Sequence, residues 1–105
     1  MSDSFILGFV GHAHPDQVET AAEFEDEVLP LLTNHGARLI YRGRRSAGQD
    51  GTLPLELHLI WFPTRSALDF YLTDPRRNAL LERYGEVFTS KIVVELDTVE
   101  SAPWP

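Results

Sequence analysis

The sequence predicts an α+β domain with the ferredoxin-like order β-α-β-β-α-β and a four-stranded antiparallel sheet. Three observations predict this fold class. Four segments alternate apolar and polar residues as strands do, two segments repeat apolar residues at helical spacing, and a short polar loop joins the two middle strands. Because the chain has 105 residues, we expect a single domain spanning residues 1–105.

The first predicted strand is Phe5–His12, where aromatic and aliphatic residues alternate with glycine. Asp16 and Glu19 have the spacing of a capping box, which predicts that a helix begins at Asp16. Gly36 is expected to end this helix. Its buried stripe is predicted to comprise Ala21, Phe24, Val28, Leu31 and Leu32.

Two features of the predicted first helix bear on its shape and charge. Pro30 cannot donate a backbone hydrogen bond, which predicts a kink or a tightened last turn near Glu27. A run of acidic residues is expected to form a solvated outer face. This run comprises Glu23, Glu25, Asp26 and Glu27.

The middle of the chain predicts a hairpin of two strands, Arg38–Arg45 and Leu55–Phe62, joined by the polar loop 47–52. Alternation places Leu39 and Tyr41 on one face of the first strand. The opposite face is predicted to carry Arg38, Ile40, Arg42 and Arg44. In the second strand, Leu55, Leu57, Leu59 and Trp61 lie opposite Glu56, His58, Ile60 and Phe62.

The second half of the domain predicts a broken helix and a last strand. Thr64 can cap a helix after Pro63, and Asp74 with Pro75 resembles a second cap, so the helix is expected to break and restart there. Gly85 marks the following turn. The β-branched segment Val87–Val99 predicts the fourth strand.

In this topology both helices cover one face of the sheet, and the other face stays exposed in a single chain. Val10, Ile40, Ile60 and Phe62 are the candidates to line that exposed face. An apolar face of that size predicts a homodimer. The segment Ser101–Pro105, which contains Trp104, is expected to be a loose tail or a latch on the partner subunit.

Composition argues against several classes of function. The formal net charge is −7 and no segment is dense in Lys or Arg, so we expect no nucleic-acid partner and no binding to anionic membranes. The absence of cysteine, of a long apolar run and of a signal-peptide pattern favours a cytoplasmic protein. No phosphate-binding loop, nucleophile elbow or dinucleotide fingerprint occurs, so we expect no cofactor.

Three segments resemble the family known as domain of unknown function 1330, within the dimeric α/β-barrel superfamily. They are residues 35–43, residues 61–67, and residues 71–75 together with Ala79 and Leu80. The resemblance implies a dimeric α/β barrel with a cleft, either between sheet and helices or inside the barrel, for a small aromatic or polyketide-like molecule. Some relatives in the superfamily are cofactor-free oxygenases, isomerases or cyclases. The sequence departs from the family pattern at Trp61, where a carboxylate commonly stands, and at Arg76 and Arg77, where an aromatic residue is more usual.

His58 and Arg42 are the candidate catalytic residues. His58 interrupts a central aliphatic strand, where an imidazole could act as a general base, or could instead form a hydrogen bond at a dimer interface. Arg42 could hold an anionic substrate group, or it could pair with Glu56 across the hairpin. The residues expected to contact the substrate are Tyr41, Trp61, Arg44, Glu56 and His12.

Metal binding is a weaker hypothesis. His12 and His14 are two residues apart on a strand end, but no third ligand has a characteristic spacing. We therefore expect no metal site and place His12 at the mouth of the cleft.

Taken together, these features predict a small homodimer that binds an organic molecule in an apolar cleft, with cofactor-free proton transfer, cyclisation or oxygenation as the candidate chemistry. The alternative is a non-catalytic interaction or ligand-sequestering module.

Overall fold

The computed structural model describes residues 3–99, and the predicted tail, residues 101–105, lies outside them. The sheet is antiparallel, with the order β2-β3-β1-β4. This is the strand order of a ferredoxin-like sheet, so the predicted fold class is confirmed. The four strands are β1 Phe5–His12, β2 Arg38–Arg44, β3 Glu56–Phe62 and β4 Ser90–Leu96.

Three α-helices, counted within residues 3–99, lie on one side of this sheet: α1 Val18–Val28, α2 Arg65–Leu72 and α3 Pro75–Tyr84. Buried residues of α1 and α2 meet alternate residues of the strands in one core, and α3 packs on α1 and α2. The most deeply buried members of that core are Ala21, Leu32 and Phe62. A 3-10 helix, Leu29–His35, continues α1 toward β2.

The start of α1 differs from the prediction. Pro15 opens a short 3-10 turn in which the amide of Gln17 donates to the carbonyl of His14 at 2.8 Å. Asp16 therefore lies inside that turn, and the residue before α1 is Gln17, whose side chain makes no capping bond. The predicted capping box at Asp16 is wrong, because the proline moves the helix boundary beyond it.

The end of the first helical segment follows the prediction. Pro30 cannot donate to a carbonyl four residues earlier, and from Leu29 onward the chain adopts the tighter 3-10 geometry. Gly36 then ends the segment with φ of 72°, a left-handed conformation that glycine adopts without steric cost.

Both predicted caps in the second half of the chain are confirmed. The hydroxyl of Thr64 accepts the amide hydrogen of Ala67 at 3.1 Å, and Oδ1 of Asp74 accepts that of Arg76 at 2.9 Å. These bonds begin α2 and α3. The fourth strand is shorter than predicted, because Val87 packs into the core before the strand begins.

One extra residue in β2 inverts its alternation. The register against β3 shifts at Ile40, which forms a β-bulge. Arg38 then lies opposite Trp61, and Arg42 lies opposite His58. Trp61 and His58 point to different faces of β3, so the predicted row of three arginines on one face is wrong.

The face of the sheet away from the helices stays uncovered by residues 3–99, as predicted. The assignment of Ile60 and Phe62 to it is wrong, because both lie beneath the helices and are 5% and 0% exposed. We call the uncovered side the open face. Its apolar residues include Val10, Tyr41, Leu57, Leu59, Trp61, Ile92, Val94 and Leu96.

Candidate functional site

A cavity of about 500 Å³ lies between the sheet and the helices. Its walls are mainly apolar because both layers turn their hydrophobic residues toward each other. Among the apolar lining residues are Leu7, Phe9, Phe24, Val28, Ile60 and Phe62. A few polar side chains also reach it: Glu25, His58, Tyr71, Arg77, Glu86 and Lys91.

His58 lies at the centre of β3 and forms part of the cavity wall. Its side chain is 2% exposed, and the ring of Phe9 stacks on it with centroids 4.8 Å apart. Nε2 lies 2.7 Å from Oε1 of Glu56. Strand alternation explains this contact, because residues two apart on a strand lie on the same face.

The second ring nitrogen of His58, Nδ1, has no hydrogen-bond partner among residues 3–99. Within the same residues, no buried side-chain nitrogen or oxygen is left without a partner. Nδ1 is therefore not sealed in the protein, and the space it meets is the cavity that His58 lines. A bound molecule could reach this nitrogen.

Glu56 is the carboxylate that orients His58. Its buried side chain accepts hydrogen bonds from Nε and Nη2 of Arg42 at 2.8 and 3.0 Å, and from Nε and Nη2 of Arg44, both at 3.1 Å. Burial raises the pKa of Glu56, but the hydrogen bonds from His58 and Arg42 outweigh burial and lower this pKa to about 2. Since an ionised carboxylate only accepts, Nε2 of His58 carries the hydrogen between them.

Arg42 donates hydrogen bonds to Glu56 and does not line the cavity. Nη1 donates to Asp26 at 2.7 Å, and Nη2 lies 3.4 Å from the carbonyl of Ala22. The hydrogen bond to Glu56, together with that to Asp26, raises the pKa of Arg42 against the effect of burial. The cross-hairpin pair is thus the arrangement observed, and a substrate contact by Arg42 stays a prediction.

Glu25 was missed by the sequence analysis. It lies on α1, is 5% exposed and lines the cavity, so its assignment to a solvated outer face is wrong. Spacing could have revealed it: Glu25 follows Ala21 by four residues and precedes Val28 by three, which puts it within the buried stripe. Burial raises the pKa of Glu25 to about 7.

The other predicted site residues lie away from the cavity. Tyr41 and Trp61 belong to the open face, where the guanidinium carbon of Arg38 lies 5.5 Å from the centroid of the Trp61 ring. His12 also points to that face, and its Nδ1 lies 3.1 Å from the hydroxyl of Ser90. The structure therefore does not bring these three residues together with His58, and their contact with a substrate stays a prediction.

No group of three potential metal ligands comes together within residues 3–99. Over the same residues, no helix has the length and apolar character needed to cross a membrane.

Neither a protein-family model nor a curated protein sequence matches this chain. Membership of the domain of unknown function 1330 family therefore stays a prediction. Solved structures do match it, at identities that support a shared fold only.

Three of these structures illustrate the likeness. A NIPSNAP-like domain protein from Burkholderia xenovorans has a TM-score of 0.74 and 14% identity, covering 100% of this chain and 94% of its own. A candidate antibiotic biosynthesis monooxygenase from Bacteroides thetaiotaomicron has a TM-score of 0.73 and 10% identity, with coverages of 98% and 96%. A dimeric ferredoxin-like protein of unknown function from Bacteroides fragilis has a TM-score of 0.70 and 15% identity, with coverages of 90% and 96%.

Proposed function

We propose that this protein binds a small, largely apolar organic molecule in the cavity between helices and sheet, and that His58 removes a proton from it without a cofactor. The observation that carries the proposal is the environment of His58: one ring nitrogen is bound to Glu56 and the other is left to the cavity. A volume of about 500 Å³ is in the range typical of small-molecule pockets.

The Glu56 carboxylate prepares His58 for the role of base. It accepts the Nε2 hydrogen, so a neutral ring carries its lone pair on Nδ1. After proton transfer, the same carboxylate stabilises the imidazolium cation. Arg42 and Arg44 hold Glu56 in place, which gives Arg42 a positioning role in this proposal.

The apolar walls favour an aromatic or polyketide-like molecule with a weakly acidic C–H or O–H group. Proton removal is a first step that isomerisation, cyclisation and oxygenation have in common, and oxygenation would need molecular oxygen as a co-reactant. The fold shared with a candidate monooxygenase supports this class of ligand.

We also propose that two chains associate through their open faces to form a cytoplasmic homodimer. Ile92, Val94 and Leu57 are 58%, 46% and 41% exposed in the single chain, and such adjacent apolar side chains favour burial against a second copy. A structural neighbour is itself dimeric. Tyr41 and Trp61 would then lie at the dimer interface.

The second candidate function is binding without turnover. It is favoured by the state of Arg42, because the residue expected to hold a substrate anion already has Glu56 and Asp26 as partners. A protein of this kind would sequester or carry its ligand, with His58 contributing only a hydrogen bond.

Hydrogen–deuterium exchange of β-tetralone, an aromatic ketone with weakly acidic C–H groups, tests the base. The protein should accelerate loss of the benzylic proton signal in D2O, and His58→Ala should reduce the accelerated rate roughly 100-fold or more. His14→Ala, which changes a histidine that does not line the cavity, should leave the rate unchanged. Saturable binding without exchange would instead support the ligand-sequestering function.

A second pair of variants locates the binding. Leu72 lines the cavity, so Leu72→Trp should fill part of it and abolish β-tetralone binding. Phe70 lies on the same helix but is 65% exposed and does not line the cavity, so Phe70→Trp is the matched control. Equal binding to both variants would reject the cavity as the site.

A further inference from the structure

Glu25 is an ionisable residue of the cavity wall that the proposed proton transfer does not use. Glu25 projects from the helical layer, whereas His58 projects from the sheet layer beneath it. Both line the cavity, so one bound molecule could contact both. This arrangement puts two groups able to exchange protons on facing walls.

Glu25 is 95% buried as a residue, and no side chain or backbone group among residues 3–99 forms a hydrogen bond with its carboxyl group. Since no buried side-chain oxygen in that part of the chain lacks a partner, the oxygens of Glu25 are not sealed in the protein, and Glu25 is a residue of the cavity wall. A polar group in mainly apolar surroundings gains free energy when a ligand supplies a hydrogen-bond partner.

We propose that Glu25 is a second catalytic residue, a neutral acid that donates a hydrogen bond to a carbonyl oxygen of the bound molecule while His58 takes a proton from the adjacent carbon. This inference rests on the proposed function, because it requires a ligand in the same cavity. It narrows the ligand class to carbonyl compounds with an acidic C–H next to the carbonyl group.

The step balances without an oxidant or a metal. The C–H bond breaks, its proton goes to Nδ1 of His58, and its electron pair forms a carbon–carbon double bond as the carbonyl electrons move onto oxygen. The O–H of Glu25 stabilises the negative charge that develops on this enolate oxygen. Return of the proton from His58 to a carbon of the enolate completes an isomerisation or an exchange.

Burial supplies the neutral form of the acid. Desolvation raises the pKa of Glu25 to about 7, so near neutral pH a large fraction of Glu25 is protonated. Above that pH, a Glu25 carboxylate would repel the enolate oxygen. The charged and titratable groups whose fields reach Glu25 are His58 and Glu56 of β3, Arg42 of β2, Tyr71 of α2 and Arg77 of α3, and Glu86 and Lys91 share the cavity wall.

Two probes of the same shape separate this inference from the proposed function. β-Tetralone has the carbonyl group and tetralin lacks it. Glu25→Met should weaken binding of β-tetralone roughly tenfold and leave binding of tetralin within about twofold. The same variant should slow His58-dependent exchange roughly 100-fold. Glu23→Met removes an exposed carboxylate from the same helix and should change neither quantity.

The outcomes are distinct. If Glu25→Met binds both probes like the unchanged protein and exchanges β-tetralone as fast, Glu25 is not the acid, although the proposed function stands. If neither probe binds the unchanged protein, the proposed cavity function and this inference both fail. Carbon-13 NMR of the carboxyl groups gives a test without ligand: a Glu25 resonance that titrates near its ordinary value of 4.5 overturns the inference, and one near 7 supports it.

Discussion

The buried carboxyl group of Glu25 makes the stability of the fold depend on pH. Its pKa is 4.5 in the unfolded chain and about 7 in the folded protein, so the folded state binds more protons between these values. The contribution of Glu25 to stability is therefore fully present below pH 4.5, and it is lost as the pH rises through 7. At about 1.4 kcal/mol per pH unit, the full loss is roughly 3 kcal/mol.

Glu25→Gln keeps the size of the side chain and removes its ionisation. We expect the variant to lose this pH dependence. The free energy of unfolding of the variant minus that of the unchanged protein should therefore rise by roughly 3 kcal/mol from pH 4.5 to pH 8. Urea unfolding at a series of pH values measures the two curves. All other titrating groups are common to both proteins, so the difference isolates Glu25.

Glu23→Gln is the matched control, because Glu23 lies on the exposed side of the same helix. Its stability curve should run parallel to that of the unchanged protein. If the curve of Glu25→Gln also ran parallel, the folded protein would hold Glu25 as an ordinary carboxylate. Such a result would contradict the expectation that burial raises the pKa of Glu25.

Three further changes test other parts of the structure. Glu56→Gln leaves Arg42 and Arg44 without their buried counter-charge and should lower the free energy of unfolding by roughly 3 kcal/mol. Asp26→Asn removes an exposed partner of Arg42 and should cost less than about 1 kcal/mol in the same denaturation assay. Gly36→Ala should lower the free energy of unfolding by about 1 kcal/mol, because the φ of 72° disfavours alanine. Asparagine adopts this left-handed conformation more readily, so a Gly36→Asn variant that lost as much stability would contradict this cause. Val94→Lys on the open face should shift the sedimentation coefficient from dimer to monomer; Phe70→Lys, outside that face, should not.

The elements that sequence predicted well are those with local causes. Thr64 and Asp74 cap their helices through bonds to amides two or three residues away, and Gly36 ends its segment through its own backbone angle. Such features depend on neighbouring residues alone. The strand order also agrees with the fold predicted from the sequence, because the lengths of the connections leave few ways to arrange four strands.

The errors have causes that span the fold. The bulge at Ile40 arises where two strands meet, and alternation read from β2 alone could not reveal it. Asp16 was displaced from its capping role by the turn that Pro15 opens. Glu25 was grouped with its acidic neighbours by composition, whereas its place on the helix puts it in the core stripe. For the candidate site, the sequence predicted that Arg42 pairs with Glu56 across the hairpin, but it did not predict that Glu56 also contacts His58 or that Glu25 lines the cavity.

The bulge in β2 also determines how copies of this protein can meet. β2 is an edge strand, and an edge with regular spacing is a template on which another chain can add as a further strand. The extra residue interrupts the row of free amides and carbonyls and increases the local twist. Growth of the sheet from the β2 edge is therefore discouraged, and so is the aggregation that would follow.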